Sequence, residues 1–299
     1  MHADGDITTG GTPIAVVIPC HDDGATLEEA VESARAQDVP VEIIVVDDGS
    51  TDPVTAAVLR RLPGAGVSVL HQRNRGPGPA RTNGLRAASH AEYALPLDAD
   101  DRLLPGALRL LRDELDRNPA AVAAWGSARH FGRLDFVQHS LPSLDPWQLS
   151  YQNHLPLSAL YRRDAVLAAG GWQLDGGYED WDLWMTFAEE GYEGVGVHAV
   201  TGEYRVQPGR RLSTSSSRHA ERCARLRERH PRLYAERRRH RRASPAPVAL
   251  KAALPVIDAL PLSADRKRLL AGAACYLAFG SGWPTIAARF RAHRIRRAR

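Results

Sequence analysis

Asp98, Asp100 and Asp101 follow directly on the apolar run Tyr93–Leu97. Carboxylates this close repel one another unless something positive sits among them. Two further apolar runs end in the same way. Ile14–Ile18 leads through Pro19 into Cys20-His21-Asp22-Asp23, and Val41–Val46 leads into Asp47-Asp48-Gly49-Ser50. In open α/β sheets, ligands bind beyond the carboxyl ends of the strands, so these acidic tips are expected on one edge. A divalent cation is the economical counter-charge, because hard cations take carboxylate and phosphate oxygens. Mg2+ or Mn2+ fills its shell with substrate phosphate and water, so one or two protein carboxylates suffice. Each cluster also has a plainer account: Asp48-Gly49-Ser50 as a turn and N-cap, Asp101 as a cap or turn residue.

The stretch HQRNRGPGPARTNGL, residues 71–85, places Arg73, Arg75 and Arg81 around a Gly/Pro loop that opens a helix. A helix N-terminus and guanidinium groups both suit a diphosphate. Its GPG is not a dinucleotide fingerprint, since the third glycine is missing and it follows the third strand. A further acid pair, Glu179-Asp180, lies at the start of a later helix, where a cap role is the plain account.

The elements that must position these groups follow from hydrophobic pattern. Ile14–Ile18, Val41–Val46, Val67–Leu70, Tyr93–Leu97 and Val122–Trp125 lack polar alternation and read as parallel strands covered on both faces. Between them, 25–37, 54–62, 79–88 and 105–118 read as amphipathic helices, with Pro105 in a first turn. Alternation of strand and helix predicts a doubly wound, mainly parallel α/β sheet. Further on, 157–161 and 195–198 read as strands, 163–169 and 182–190 as helices, and the glycines of Gly170-Gly171-Trp172 as a helix stop. After Ser217, basic helical stretches 218–229 and 232–242 precede a linker, ASPAP at 243–247, and apolar helices at 248–260 and 269–279.

The chain has 299 residues, 43% hydrophobic and 25% charged, with a formal net charge of +4. That is ordinary globular composition. Only Lys251 and Lys267 are lysine; the remaining cations are arginine. Cys20, Cys223 and Cys275 show neither a disulfide framework nor zinc spacing, so a reducing, cytoplasmic compartment is expected. The polar N-terminus has no signal-peptide pattern and reads as a disordered leader, residues 1–12.

Taken together, VVIPCHD, IIVVDDGSTD, NRGPGPARTNGL, LPLDADD and GGYEDWDLW resemble, in order and spacing, the inverting family 2 glycosyltransferases of the GT-A fold. The resemblance covers residues 13–215 and leaves 216–299 as an Arg-rich helical C-terminal region. It implies a nucleotide-diphospho-sugar donor (UDP, dTDP or GDP), Mn2+ or Mg2+, and transfer of one sugar with inversion. Asp98 and Asp100 align with the family's DxD motif, with Asp100 the main metal ligand. Asp48 aligns with the acid that accepts the nucleobase N–H, and Arg81 with an arginine near the nucleotide. Pro19 and His21 stand where the family contacts the base, although His21-Asp22 replaces a common Tyr-Asn. Asp180 aligns with the catalytic base; Glu179 and Trp181 are candidate acceptor or sugar contacts. The segment 204–217 resembles a mobile late loop, with Arg205 and Arg211 as candidate diphosphate contacts. His198 is a candidate metal ligand by analogy, against a structural role for a lone strand-end histidine.

The chemistry agrees with this resemblance. A departing diphosphate gathers charge that a cation and arginines stabilise, and the acceptor hydroxyl must lose a proton to a placed carboxylate. At a helix N-terminus, Asp180 is expected to have a lowered pKa. The acceptor, whether carbohydrate, lipid-linked or a natural product, carries no readable motif. Arg266, Arg268, Arg289, Arg291, Arg294, Arg296 and Arg297 around the last apolar segments and Trp283 suggest a peripheral membrane contact. The competing readings are a nucleic-acid binder using 218–242, whose interleaved Glu221, Glu228 and Glu236 disfavour it, a non-catalytic sugar-nucleotide binder, and a nucleotidyltransferase, which would want a Gly-rich basic loop where Cys20-His21-Asp22-Asp23 stands.

Overall fold

The structure is a computed structural model that describes residues 12–207 and 218–279. The leader up to Gly11, Arg211, Trp283 and the arginines from 289 onward lie outside the described residues. Among the described residues, one sheet of nine strands runs β3-β2-β1-β4-β8-β6-β9-β5, with β7 paired to β6. Its first half is wholly parallel: β1 (Ile14–Cys20), β2 (Val41–Asp47), β3 (Ser68–His71) and β4 (Tyr93–Pro96). β1 is buried along its whole length because both faces are covered. Ala15 and Val17 pack on the side of α3 (Pro77–Ala87) and α7 (Glu179–Glu189). Ile14, Val16 and Ile18 pack on the side of α1 (Gly24–Arg35), α2 (Pro53–Arg61) and α4 (Ala107–Arg117). The uninterrupted apolar runs thus have the expected physical cause.

Gly84 sets how closely α3 lies on the sheet. A Cβ there would collide with Val17 and meet Val46 Cγ2 at 3.0 Å. This contact holds the helix bearing Arg81 against β1 and β2.

The second half of the sheet is mixed, unlike the parallel expectation for Val122–Trp125. β6 (Ala121–Gly132) runs parallel to β9 (Glu193–Val206) and antiparallel to β8 (Leu160–Arg162) and β7 (Phe136–Gln138). β9 also holds β5 (Arg102–Leu103) antiparallel. Both β6 and β9 extend well past the apolar cores that marked them, because their distal halves pair with each other and with β7 and β5. β3 is the open edge, with Ser68 and His71 exposed rather than covered. Pro105 precedes α4 instead of entering its first turn, since Gly106 is left-handed at φ 75°.

The short helices α5 (Pro146–Leu149) and α6 (Arg163–Ala168) flank β8 in sequence. The Arg-rich region forms α8 (His219–Arg229), α9 (Pro231–Ala235) and α10 (Arg237–Ala243). Arg229 Nε donates to Asp182 Oδ1 at 2.6 Å, and His230 lies 2.9 Å from the same oxygen and 3.1 Å from Glu189 Oε2. Arg232 and Arg237 donate to Glu189 O and Ser150 Oγ. These cations therefore fasten the C-terminal helices to α7 and to the segment after α5. The expected linker 243–247 is a packed corner: Ser244 Oγ donates to buried Asp145 at 2.6 Å, and Ala246 joins a cluster with Trp147, Leu250 and Ala271. Two further helices follow, α11 (Val248–Ala259) and α12 (Ala264–Phe279). Among the described residues, no helix is long and apolar enough to cross a membrane.

Candidate active site

β1 has β2 and β3 on one side and β4 on the other, so the chain reverses its direction of winding there. Loops after β1 and β4 diverge at such a point and leave a crevice. A cleft of about 690 Å³ occupies it, lined by Pro19, His21, Asp48, Asp98, Asp100 and Asp101 from the strand ends and by Glu179, Asp180 and Trp181 from the start of α7. Arg81 and Arg205 also line it.

Arg81 joins the two walls. Its side chain is 1% exposed, with Nη2 donating to Asp98 Oδ1 at 2.5 Å and Nη1 to Glu179 Oε1 at 2.9 Å. The two acids raise its already high pKa against the effect of burial. A buried guanidinium this well paired is a fixed cation. It ties the end of β4 to the start of α7, and Glu179 is thereby engaged by the protein instead of standing open to a ligand.

Asp180 is the next residue along α7 and is half-buried in the cleft. Asn153 Nδ2 donates to its Oδ2 at 2.9 Å. Burial, and then the charge of Glu179, push its pKa up from 3.8 to about 6, against opposing backbone hydrogen bonds and Arg81. The expected lowering by the helix N-terminus is thus overturned: desolvation outweighs the dipole. A carboxylate raised this far is a stronger base near neutral pH. Tyr178 carries the turn into α7 at φ 71°, behind Gly176 and Gly177 at φ 81° and 108°.

Asp98, Asp100 and Asp101 crowd one turn, as the sequence implied. Burial and the charges of Asp98 and Asp100 push Asp101 well above the carboxylate range, although Arg205 N–H donates to its Oδ1 at 2.8 Å. A set of hard oxygens in excess of its local cations fits a divalent ion. Among the described residues, no three His, Cys, Asp or Glu side chains form a metal-holding group. Arg205 lies in β9, not in a loop. Its Nε donates to Asp100 O at 3.0 Å and its guanidinium stacks 4.6 Å from the Phe131 ring centroid, so it braces the acidic turn.

Asp48 is buried and accepts from Gln72 Nε2, Arg75 N and Gly76 N at 2.7–2.8 Å. It therefore shapes the 72–76 loop beside the cleft. Arg73 and Arg75 are exposed and do not line the cleft. His21 lies at the rim, 3.0 Å from Asn74 Nδ2. His198 is exposed on β9 and does not line the cleft. Trp181 is 5% exposed with its indole N–H on Leu149 O; Trp147, Trp172 and Trp184 are core. The cysteines are free, and burial raises all three, Cys20 to about 12. That fits packing, not nucleophilic chemistry.

Several cleft residues were not named one by one in the sequence reading: Tyr151, Gln152, Asn153, His130 and Tyr204. The first four come from a stretch without a motif, and Tyr204 only opens the segment that resembles a late loop. Arg268, placed by sequence pattern among membrane-facing cations, instead lines the cleft.

Residues 15–170 match the family model described as glycosyl transferase family 2. The succinoglycan biosynthesis protein ExoO of Rhizobium meliloti (strain 1021) is 38% identical over 112 residues, 37% of this chain and 32% of that protein. The aligned segments span 32% and 38% of the length of the first two curated relatives. Among solved structures, the mannosyltransferase PcManGT from Pyrobaculum calidifontis in complex with GDP-Man and Mn2+ superposes with a TM-score of 0.56 at 21% identity, covering 96% of this chain and 87% of that one. S. aureus TarS 1–349 in complex with UDP-GlcNAc gives a TM-score of 0.56 at 17% identity, covering 89% of this chain and 73% of that one.

Proposed function

The chain belongs to glycosyl transferase family 2 and has the GT-A fold, and from that premise we propose that it transfers one sugar from a nucleotide-diphospho-sugar to an acceptor hydroxyl, with inversion and a divalent cation. The observation that carries this reading is the Arg81 bracket, which sets Asp180 over the same cleft as the acidic strand ends. Asp100, with Asp98 beside it, would hold Mn2+ or Mg2+. When bound, the ion neutralises charge gathering on the leaving diphosphate.

The remaining steps fall to the chain's own side chains. Pro19, His21 and Asp48 border the nucleobase, and Asp48 can accept an N–H from uracil, thymine or guanine. Arg205 steadies the 98–101 turn against the donor. Asn153 orients the Asp180 carboxylate, which takes the acceptor proton as the new bond to the anomeric carbon forms. One base facing the donor pocket suits direct displacement, hence inversion. Solved neighbours holding GDP-Man and UDP-GlcNAc support a donor of this class.

A donor-hydrolysis screen over UDP-, GDP- and dTDP-sugars, with Mn2+ or with chelator, tests the reading. One donor turned over only with metal is expected; no turnover of any would overturn it. For the C-terminal helices we propose contact with an anionic membrane surface. Arg238, Arg241, Arg242 and Lys251 line a groove with Val248, which is 83% exposed. Basic groups beside apolar ones suit such a surface. Flotation with anionic liposomes at low salt is expected, and protein left at the bottom of the gradient would overturn it.

A further inference from the structure

Arg268 differs from the other two arginines of the cleft. Arg81 is shared by Asp98 and Glu179, and Arg205 is held by Glu29, Asp101 and the Asp100 carbonyl. No hydrogen bond or ion pair within the described residues engages Arg268, which is only half-exposed at the cleft wall. Its position is fixed by its helix. Further along α12, Ala271 and Cys275 pack with Trp147 and Tyr151, and a Cβ placed on Gly272 would lie about 4 Å from the Gln152 amide. On its other side α12 packs on α8, where the charge of Arg268 reaches half-buried Cys223.

Arg268 therefore stands beside the 151–153 segment, whose Asn153 holds Asp180. That is the side from which the acceptor hydroxyl must come, away from the acidic strand ends that would take the donor. Gln152 adds a buried Oε1 with no hydrogen-bond partner, at the same wall. A half-buried cation that no acid among the described residues pairs with, in a cleft otherwise rich in acids, is an anion site waiting on a ligand.

Resting on the glycosyltransferase reading, we infer that the acceptor is anionic, and that Arg268 pairs with its carboxylate or phosphate while Gln152 Oε1 accepts from a neighbouring acceptor hydroxyl. The C-terminal helices then set acceptor specificity, and the family-like segment 15–170 handles the donor.

Ligand-observed NMR on the full chain in chelator, with glucuronate, glucose 6-phosphate and glucose as probes, tests this without donor or metal. At least one charged sugar is expected to bind about tenfold or more tightly than glucose, a difference of ~1.4 kcal/mol, and the one favoured distinguishes carboxylate from phosphate. Arg268→Gln is expected to erase that preference with Tm unchanged. Equal binding of all three sugars by the wild type, or a preference that survives Arg268→Gln, overturns the inference. A fall in donor affinity in Arg268→Gln also overturns it, by assigning the cation to the diphosphate. If the wild type hydrolyses no donor but the charged-sugar preference depends on Arg268, the transferase reading fails and the anion site stands.

Discussion

Arg81 and Glu179 are paired at 2.9 Å across 98 residues of sequence, and the pair sets the base-bearing helix against the donor-bearing sheet. Glu179 is 7% exposed. Removing the cation would break the charge-assisted pair of a buried carboxylate. Arg81→Met is expected to cost ~3–5 kcal/mol in urea unfolding. Arg81→Met combined with Glu179→Gln should recover part of that loss, since the two changes are coupled. A single-variant loss under ~0.5 kcal/mol would show that the bracket does not hold the walls together.

Asp180 is raised to about 6 by burial and by Glu179. A base works ionised, so kcat should be level above that pH and fall as pH drops through it. Glu179→Gln removes the neighbouring negative charge that helps raise the pKa, so the acid limb should move to lower pH. Asp180→Asn should lower kcat by ~10²–10⁴-fold with near-normal donor affinity by calorimetry. A limb that ignores Glu179→Gln, or an Asp180→Asn enzyme of normal kcat, argues for a different base.

Some of this was legible in the sequence because it is local. An apolar run that ends in acids announces a buried strand and the chemistry at its tip, and the tips of β1, β2 and β4 do meet. The pKa of Asp180 was misread for the opposite reason. The helix terminus is visible in sequence, whereas the burial of its carboxyl and the closeness of Glu179 depend on how α7 meets the sheet. β9 was seen only as its apolar core, since Gly202, Glu203 and Arg205 do not read as strand until β5 and β6 pair with them. Arg268 sits on a helix whose pattern says only that it is partly apolar. Its place at the cleft depends on Ala271 and Cys275 packing against Trp147 and Tyr151.

Gly84 should not tolerate a side chain. A methyl there meets Val17 and Val46 in the floor beneath α3. Gly84→Ala is expected to cost ~1–3 kcal/mol, as overpacked cores do. Gly64 has open space around its added Cβ, so Gly64→Ala is the control and should be close to neutral. Equal midpoints in denaturant for the two variants would contradict the close approach of α3 to β1.

The acidic turn after β4 should weaken the fold until a cation binds. Burial and the charges of Asp98 and Asp100 already push Asp101 towards its neutral form, so each extra charge there opposes folding. A ligand that binds only the native state stabilises by mass action, ~2.7 kcal/mol at a hundredfold excess over Kd. Mn2+ is therefore expected to raise Tm of the wild-type protein. Asp100→Asn keeps the size of the side chain and removes one of the crowded charges. Its metal-free Tm should equal or exceed that of the wild type, whereas the increment on adding Mn2+ should vanish. Calorimetry should then show weaker metal-dependent nucleotide binding. A full Mn2+ increment in Asp100→Asn would place the ion elsewhere, and a clear loss of metal-free Tm would mean that Asp100 holds the turn together instead of straining it.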